Sequence, residues 1–205
     1  MGQGPEMSEA PTLAAYYVFL GLVGAERLYE LVLSRRNARR ALERGGREVG
    51  QGHFRVMVLF HTAFLVACVV EPLALQRPFP GALGYAAFAG ALASQLLRYW
   101  AISTLGERWN TRIIFVPGDT PVTSGPYRFI RHPNYVAVIL EFLCLPLIHG
   151  GYLTALLFSL GNAALLSVRI RAEEQALGAE YQQAFSQRPR FLPTASRPDT
   201  ASPPP

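Results

Sequence analysis

Long apolar segments separated by polar connections are the feature that most limits what this chain can fold into. Five such segments lie at 11–33, 53–75, 82–104, 134–148 and 152–169. At about 1.5 Å per helical residue, the longer segments can cross a hydrocarbon core roughly 30 Å thick. The sequence therefore predicts an all-α fold, a polytopic membrane helix bundle with about five transmembrane helices.

The composition agrees with a membrane location. Half of the 205 residues are hydrophobic and only 16% are charged, a balance that is unusual for a soluble domain. The 19 basic residues are all arginines that cluster between apolar segments, which favours contact with lipid headgroups over a nucleic-acid partner. Cys68 and Cys144 fall within apolar segments without metal-type spacing. We expect neither a metal site nor a disulfide.

The arginines also predict an orientation and a domain plan. They concentrate in the first and third connections and near the C-terminus, which by the positive-inside rule predicts an external N-terminus and a cytoplasmic C-terminus. We expect a flexible N-terminus at 1–10, one domain at 11–193 and a disordered tail at 194–205. The connection at 34–52 is predicted to be a polar loop broken at Gly45-Gly46. Apolar residues at near-helical spacing up to Pro189 predict a C-terminal amphipathic cytoplasmic helix.

Polar side chains gather just before the fourth apolar segment. Arg131 and His132 precede Pro133, which suits the first turn of a helix because it lacks an N–H group. This basic cluster therefore lies beside a helix N-terminus, where free N–H groups favour anions. It could equally be a simple interfacial anchor. The stretch also contains four further candidate residues: Gly125, Tyr127, Asn134 and Tyr135.

A second polar block and several isolated polar residues lie within or beside the apolar segments. Arg169 is followed by Glu173 and Glu174, which on their own would form a solvated helix face. Glu26 and Glu30 are four residues apart, so they share a helix face on which Arg27 can pair with them. A lone histidine such as His61 within an apolar helix is more typical of packing than of ligand binding.

The two polar blocks together resemble the isoprenylcysteine carboxyl methyltransferase family, which comprises integral-membrane enzymes that use S-adenosylmethionine. The resemblance covers 105–193, the expected cofactor-binding half. It implies that the cofactor pocket is built from two blocks: Gly125, Tyr127, Arg131, His132, Asn134 and Tyr135, then Arg169, Glu173 and Glu174. The residue types suit that cofactor, because carboxylates can bind its cations or ribose diol and cationic groups can bind its carboxylate.

The resemblance extends to the reaction and its acceptor. The strings 98–112 and 131–141 resemble a bacterial branch associated with O-methylation of long-chain alkylpyrones or alkylresorcinols. This implies a lipophilic acceptor in the bacterial inner membrane, with a site facing the cytoplasm, although a prenylcysteine-like acceptor remains open. Arg131 or Arg169 would orient an anionic acceptor, and His132 or Glu141 would assist deprotonation of a phenol.

Two other classes of protein also remain open, and the chain differs from the methyltransferase family pattern at one position. NADPH-dependent sterol-type reductases share an Asn-Tyr block but typically follow it with Gly-Asp, where this chain has Ala137-Val138. A transporter or scaffold would account for the apolar segments but not for the paired blocks. Many members of the methyltransferase family have glycine where Ala137 stands, and its methyl group would narrow the approach to the site.

Overall fold

The computed structural model describes residues 6–49 and 51–192, and most of them are helical. The five α-helices are α1 (Glu6–Glu43), α2 (Gln51–Ala74), α3 (Ala82–Leu105), α4 (Pro133–Leu147) and α5 (Tyr152–Ala184). The predicted all-α class holds for this bundle, with one small addition. Strands β1 (Arg47–Val49) and β2 (Ile113–Phe115) pair antiparallel and bring Glu48 opposite Ile114.

Helix α1 is longer than the sequence analysis predicted, so the interpretation of 34–52 as a loop is wrong for its first part. No glycine or proline interrupts 34–44, and α1 continues through this arginine-rich segment. The break comes at the two glycines, where Gly45 adopts a φ of 82° and the Gly46 N–H donates to the Ala41 carbonyl at 2.9 Å. Residues 6–10 also belong to α1 and are not a loose segment.

Helices α3 and α4 approach each other closely because small residues line their contact. A Cβ atom added at Gly90 would lie 2.7 Å from the Cys144 sulfur, and one at Gly84 would lie 2.9 Å from the Ile148 carbonyl oxygen. Small residues permit such backbone approach in membrane helix pairs. The small residues of α3 therefore allow its close contact with α4. Cys68 and Cys144 are free thiols.

Helix α5 follows α4 after the tight turn at 149–151 and runs for 33 residues. The stretch for which we predicted an amphipathic helix is helical and forms the last part of α5, which bends where Gly178 takes a φ of 72°; its amphipathic, cytoplasmic character stays a prediction. It ends at Ala184, before Pro189 rather than at it. The predicted disordered tail, 194–205, lies outside the described residues, as do residues 1–5 of the predicted flexible N-terminus.

Aromatic stacking holds the centre of the bundle. Phe142 of α4 is fully buried, and its ring centroid lies 4.1 Å from that of Phe64 and 5.6 Å from that of Phe60, both on α2. His61 packs edge-on against the same ring at 4.9 Å, and its Nδ1 lies 2.9 Å from the Met57 carbonyl oxygen. This confirms the interpretation of His61 as a packed, hydrogen-bonded histidine.

The outer surface of the bundle is unusually apolar. In the described part of the chain, two helical segments are long and apolar enough to span a membrane: Phe54–Ala74 and Tyr152–Ala184. Their large apolar side chains are widely exposed, including Leu59 at 72% and Leu160 at 63%. A soluble monomer rarely exposes so extensive an apolar surface. The bundle is therefore suited to lipid, although these criteria mark two spans rather than five.

Candidate active site

The connection between α3 and α4 folds back across one end of the bundle. Asn37 of α1 donates from its amide to the carbonyl oxygens of Trp109 and Gly106, at 2.8 and 3.1 Å. Ser34 of the same helix donates to the Asn110 side chain at 2.8 Å. These bonds anchor the connection over a cavity of about 1180 Å³ that lies among α1, α2, α4 and α5. The connection between α3 and α4 therefore covers one end of this cavity.

Hydrogen bonds among cavity-lining residues join the two polar blocks of the sequence directly. Arg169 of α5 donates from Nε to the Tyr135 hydroxyl at 2.8 Å, and the hydroxyl donates in turn to the Glu173 carboxylate. Arg169 is further held by the Thr111 carbonyl oxygen at 2.6 Å. All four residues line the cavity. Hydrogen bonds within the protein therefore fix the orientation of the Arg169 guanidinium. The Glu173 carboxylate is held by the Tyr135 hydroxyl and lines the cavity.

The second glutamate has a different environment. Glu174 lies 3.1 Å from His132 Nε2 and accepts two hydrogen bonds from Arg190, at 3.0 and 2.7 Å. Bidentate pairing of this kind is strong and geometrically specific, and the hydrogen bonds with Glu174 raise the pKa of the Arg190 guanidinium. Glu174 is not among the cavity-lining residues, whereas His132 is. The two neighbouring glutamates therefore have different roles: Glu173 lines the cavity, whereas Glu174 binds His132 and Arg190.

Residues after α5 also cover the start of α4. The backbone N–H groups of Arg131 and His132 donate to the carbonyl oxygens of Pro189 and Arg190, at 2.9 and 3.1 Å. Arg131 also donates from Nε to the Arg188 carbonyl oxygen at 2.6 Å. Pro133 occupies the first turn of α4 as predicted. The two N–H groups just before this helix are therefore satisfied by the protein and are not available to an anion.

Three further predicted residues contribute unequally to the cavity. Tyr127 lines it, and burial raises the pKa of this phenol, so that Tyr127 stays neutral. Asn134 also lines it, and its buried Oδ1 accepts no hydrogen bond from the described residues. Gly125 does not line it; its φ is 54° and an added Cβ would meet Thr104 Oγ1 at 2.4 Å. Gly125 is thus required for close packing against α3.

The remaining candidate, Glu141, lies apart from the motif residues. Its carboxylate is 1% exposed and accepts a hydrogen bond from Arg98 at 2.7 Å, with Arg27 at 3.7 Å. Arg27 also pairs with Glu26 and Glu30, each at 3.0 Å, which confirms the pairing predicted for α1. The structure therefore brings Arg131, His132, Tyr135, Arg169 and Glu173 to one cavity and places Glu141 in a separate buried ion cluster.

Sequence reasoning missed several residues that build this end of the bundle. Arg190 was not among the candidate residues named from the sequence. Its position just after the predicted end of the last helix could have indicated a pairing with Glu174. Thr111 contributes a backbone carbonyl, which no side-chain pattern reveals. The ion pair between Arg98 and Glu141 joins residues 43 positions apart, and only packing of α3 against α4 brings them together.

Fold and site together define an α-helical membrane protein with a polar site at one end of its bundle. The chain belongs to the isoprenylcysteine carboxyl methyltransferase family of membrane methyltransferases, whose model matches residues 86–179. It is 40% identical over 163 residues to the uncharacterized protein YpbQ of Bacillus subtilis, covering 79% of this chain and 96% of that protein. It is 28% identical over 156 residues to an uncharacterized protein of Haemophilus influenzae, covering 75% and 89% of the two chains.

A shorter match connects the chain to a protein whose name states an activity. The Schizosaccharomyces pombe protein-S-isoprenylcysteine O-methyltransferase is 33% identical over 73 residues, which is 36% of this chain and 31% of that enzyme. The family model includes Tyr127 to Glu174 and thus both sequence blocks. The family predicted from the paired blocks is therefore confirmed.

Proposed function

We propose that this chain is an S-adenosylmethionine-dependent O-methyltransferase whose acceptor is a lipophilic, membrane-partitioned carboxylate, enol or phenol. The observation that carries the proposal is the composition of the cavity. Arg131, Tyr135 and Glu173 line its polar end, and an apolar wall between α1 and α2 continues it: Tyr17, Leu20, Leu65, Val66 and Val69. One space can therefore receive a polar donor and an acceptor with an apolar tail.

The residues present fit the cofactor. Its ammonium group and ribose hydroxyls need acceptors, which Glu173 and the unpaired Asn134 Oδ1 provide at the cavity wall. Its carboxylate needs a cation, and Arg108 and Arg112 line the cavity in addition to Arg131. The cavity, at about 1180 Å³, exceeds the usual size of a single small-molecule site. When bound, S-adenosylmethionine would supply an electrophilic methyl group on its sulfonium.

Among the arginines, Arg131 is better suited than Arg169 to orient an anionic acceptor. Arg169 is committed to Tyr135 and Thr111. In the described structure, the hydrogen bond shown for Arg131 uses Nε, which leaves its terminal nitrogens for an anion. His132 is paired with Glu174 through Nε2, so its role is to fix the start of α4 rather than to remove a proton through that nitrogen.

Positioning and exclusion of water would provide most of the catalysis. Methyl transfer is an in-line displacement, and its rate depends on holding the acceptor oxygen in near-attack geometry. Trp109, Tyr127, Tyr181 and Phe185 line the cavity with buried aromatic surface. A carboxylate or acidic enol is already ionised at neutral pH and needs no general base. Among the proposed acceptors, only a phenol needs one.

The proposed acceptor class follows from the apolar part of the cavity. The S. pombe relative is named for an isoprenylcysteine substrate, and the bacterial branch resembled by the sequence suggests alkylpyrones or alkylresorcinols. These compounds share an acidic oxygen on a long apolar group. We propose that this shared chemistry defines the substrate class, with the site facing the cytoplasm, where the methyl donor is found.

Two measurements test the proposal with detergent-purified protein. The first compares binding of S-adenosylhomocysteine with binding of NADPH; affinity for NADPH alone would move the assignment to a reductase. The second follows transfer of a labelled methyl group to alkylpyrones, alkylresorcinols and farnesylcysteine analogues of graded tail length. We expect activity to rise with tail length before levelling off, since each buried methylene retains about 0.8 kcal/mol. Equal turnover of a tailless analogue would contradict access from the bilayer.

A further inference from the structure

A buried cluster of charges forms a second polar region of the cavity. Arg27, Glu30 and Arg98 line the cavity, and all three side chains are at most 12% exposed. Glu26 and Glu141 complete the cluster through ion pairs of 3.0 Å with Arg27 and 2.7 Å with Arg98. Charged groups within a membrane bundle are costly and usually serve a function.

Four buried polar atoms of this cluster lack a hydrogen bond in the described part of the chain: Glu30 Oε1, Arg27 Nε, Arg27 Nη1 and Arg98 Nε. Glu30 Oε2 faces the arginines, at 3.0 Å from Arg27 Nη1 and 3.7 Å from Arg98 Nη1. Its Oε1 atom is buried and accepts no hydrogen bond from the described residues. An unsatisfied buried carboxylate oxygen is energetically expensive. A group that donates a hydrogen bond at this position would remove that cost.

The charge of the cluster selects the kind of group that can bind there. Three carboxylates and two guanidiniums leave one net negative charge. The net charge therefore disfavours an anionic group, whereas a neutral hydroxyl can donate to Glu30 Oε1 and accept from an unpaired guanidinium nitrogen of Arg27 or Arg98. In contrast, the motif region offers Arg131 to an anion. The two polar regions thus prefer different parts of one acceptor molecule.

The cluster lies deeper in the bundle than the motif residues. Ser34 contacts Thr111, which holds Arg169, and Glu30 is one helical turn earlier in α1, about 6 Å along the axis. Glu141 follows Tyr135 by six residues in α4, about 9 Å along that axis. A molecule with its acidic oxygen near Arg131 therefore extends toward Glu30.

We propose that Glu30, supported by Arg27 and Arg98, forms a hydrogen-bonding subsite for a second, neutral hydroxyl or N–H group of the lipophilic acceptor. The subsite favours acceptors with such a group over acceptors with one polar group, and it orients them with the acidic oxygen at the motif region. The identity of its ligand as the methyl acceptor rests on the proposed function. The binding itself does not require the methyl donor.

The test compares two probes that differ by one hydroxyl, pentadecylresorcinol and pentadecylphenol, by their affinity for the detergent-purified protein without methyl donor. We expect the wild-type protein to bind the resorcinol at least about tenfold more tightly, as befits a hydrogen bond to a charged group. Equal affinity for the two probes, or binding of neither, would overturn the proposal. This comparison needs no variant, so it remains decisive if a substitution prevents folding.

Two variants then test whether Glu30 causes the preference for the resorcinol. Glu30→Gln weakens the hydrogen-bond acceptor and should reduce the preference for the resorcinol to about threefold or less. Glu43→Gln is the matched control, because Glu43 lies on the same helix but is 66% exposed and is not a cavity-lining residue; it should keep the wild-type preference. A preference unchanged by Glu30→Gln, or equally reduced by Glu43→Gln, would refute the subsite. Selective probe binding without methyl transfer would refute the proposed reaction while leaving the subsite intact.

Discussion

Arg169 donates a hydrogen bond of 2.8 Å to the hydroxyl of Tyr135, and this contact joins the two polar blocks of the sequence across 34 residues. The same hydroxyl donates to Glu173, one helical turn after Arg169. Because α5 packs antiparallel to α4 after a tight turn, the start of α4 meets the second half of α5. The polar site is thus a product of the α4–α5 hairpin.

Replacement of Glu173 should remove cofactor binding without unfolding the protein. Glu173→Ala deletes the carboxylate that lines the cavity, and loss of a charge-assisted hydrogen bond costs roughly 1.5–3 kcal/mol, or about ten- to over a hundredfold in affinity. Binding of S-adenosylhomocysteine measures the effect. Glu43→Ala, at a 66% exposed side chain in α1, is the charge-matched control. Unchanged affinity in Glu173→Ala would remove Glu173 from the site.

His132→Ala should also abolish cofactor binding, for a structural reason. His132 is 4% exposed, contacts Glu174 and packs beside Tyr135 with a ring-centroid distance of 5.2 Å. Its loss frees the start of α4 and disturbs Tyr135. The same binding assay applies, with thermal unfolding as a check of the fold. A folded variant that retains full cofactor affinity would contradict this role.

Methyl transfer should depend on both the positive charge and the planar guanidinium of Arg131. Arg131→Ala is expected to impair methyl transfer more than Arg131→Lys, because lysine keeps the positive charge but not the planar, multiple-donor geometry. The labelled-methyl assay compares the two variants. Arg128→Ala, at an exposed neighbouring arginine that is not a cavity-lining residue, is the control. Equal activity of the two Arg131 variants would exclude a role for charge.

Phe142 should be a sensitive apolar position of the core. Phe142→Ala removes the ring that stacks on Phe64 and should destabilise the protein by about 3–5 kcal/mol, since it leaves a large cavity. Leu143→Ala, at a neighbouring side chain that is 44% exposed, is the control and should cost much less. Denaturation in detergent provides the measurement. Equal losses in the two variants would contradict the assignment of Phe142 to the core.

The predicted orientation can be tested by labelling single cysteines in a background that lacks Cys68 and Cys144. Arg44 and Asp119 form an ion pair of 3.3 Å, so the first and third connections lie at the same end of the bundle. We expect Arg39→Cys and Thr120→Cys to react with impermeant reagents only from the cytoplasmic side. Ala82→Cys, at the first residue of α3 beside the second connection, should react only from outside. Labelling of Arg39→Cys or Thr120→Cys in intact cells would reject the orientation.

The sequence by itself determined the helical class, the family and the positions of both chemical blocks. Apolar segments of sufficient length require helices in lipid, because every backbone polar group must be paired within the segment. Pro133 marked the start of α4, and Gly45-Gly46 marked the end of α1, since each residue type restricts the backbone locally. The paired arginine and glutamates of α1 were also predictable, because helical spacing alone brings them together.

The tertiary structure decided what those residues do. It separated Glu173, which lines the cavity, from Glu174, which is held by His132 and Arg190, although the two glutamates are adjacent in sequence. It also placed Glu141 with Arg98 and away from the motif residues. Neighbouring residues on a helix point in different directions, and their partners come from segments far along the chain. Local patterns predict which residues are polar, but only packing determines which of them meet.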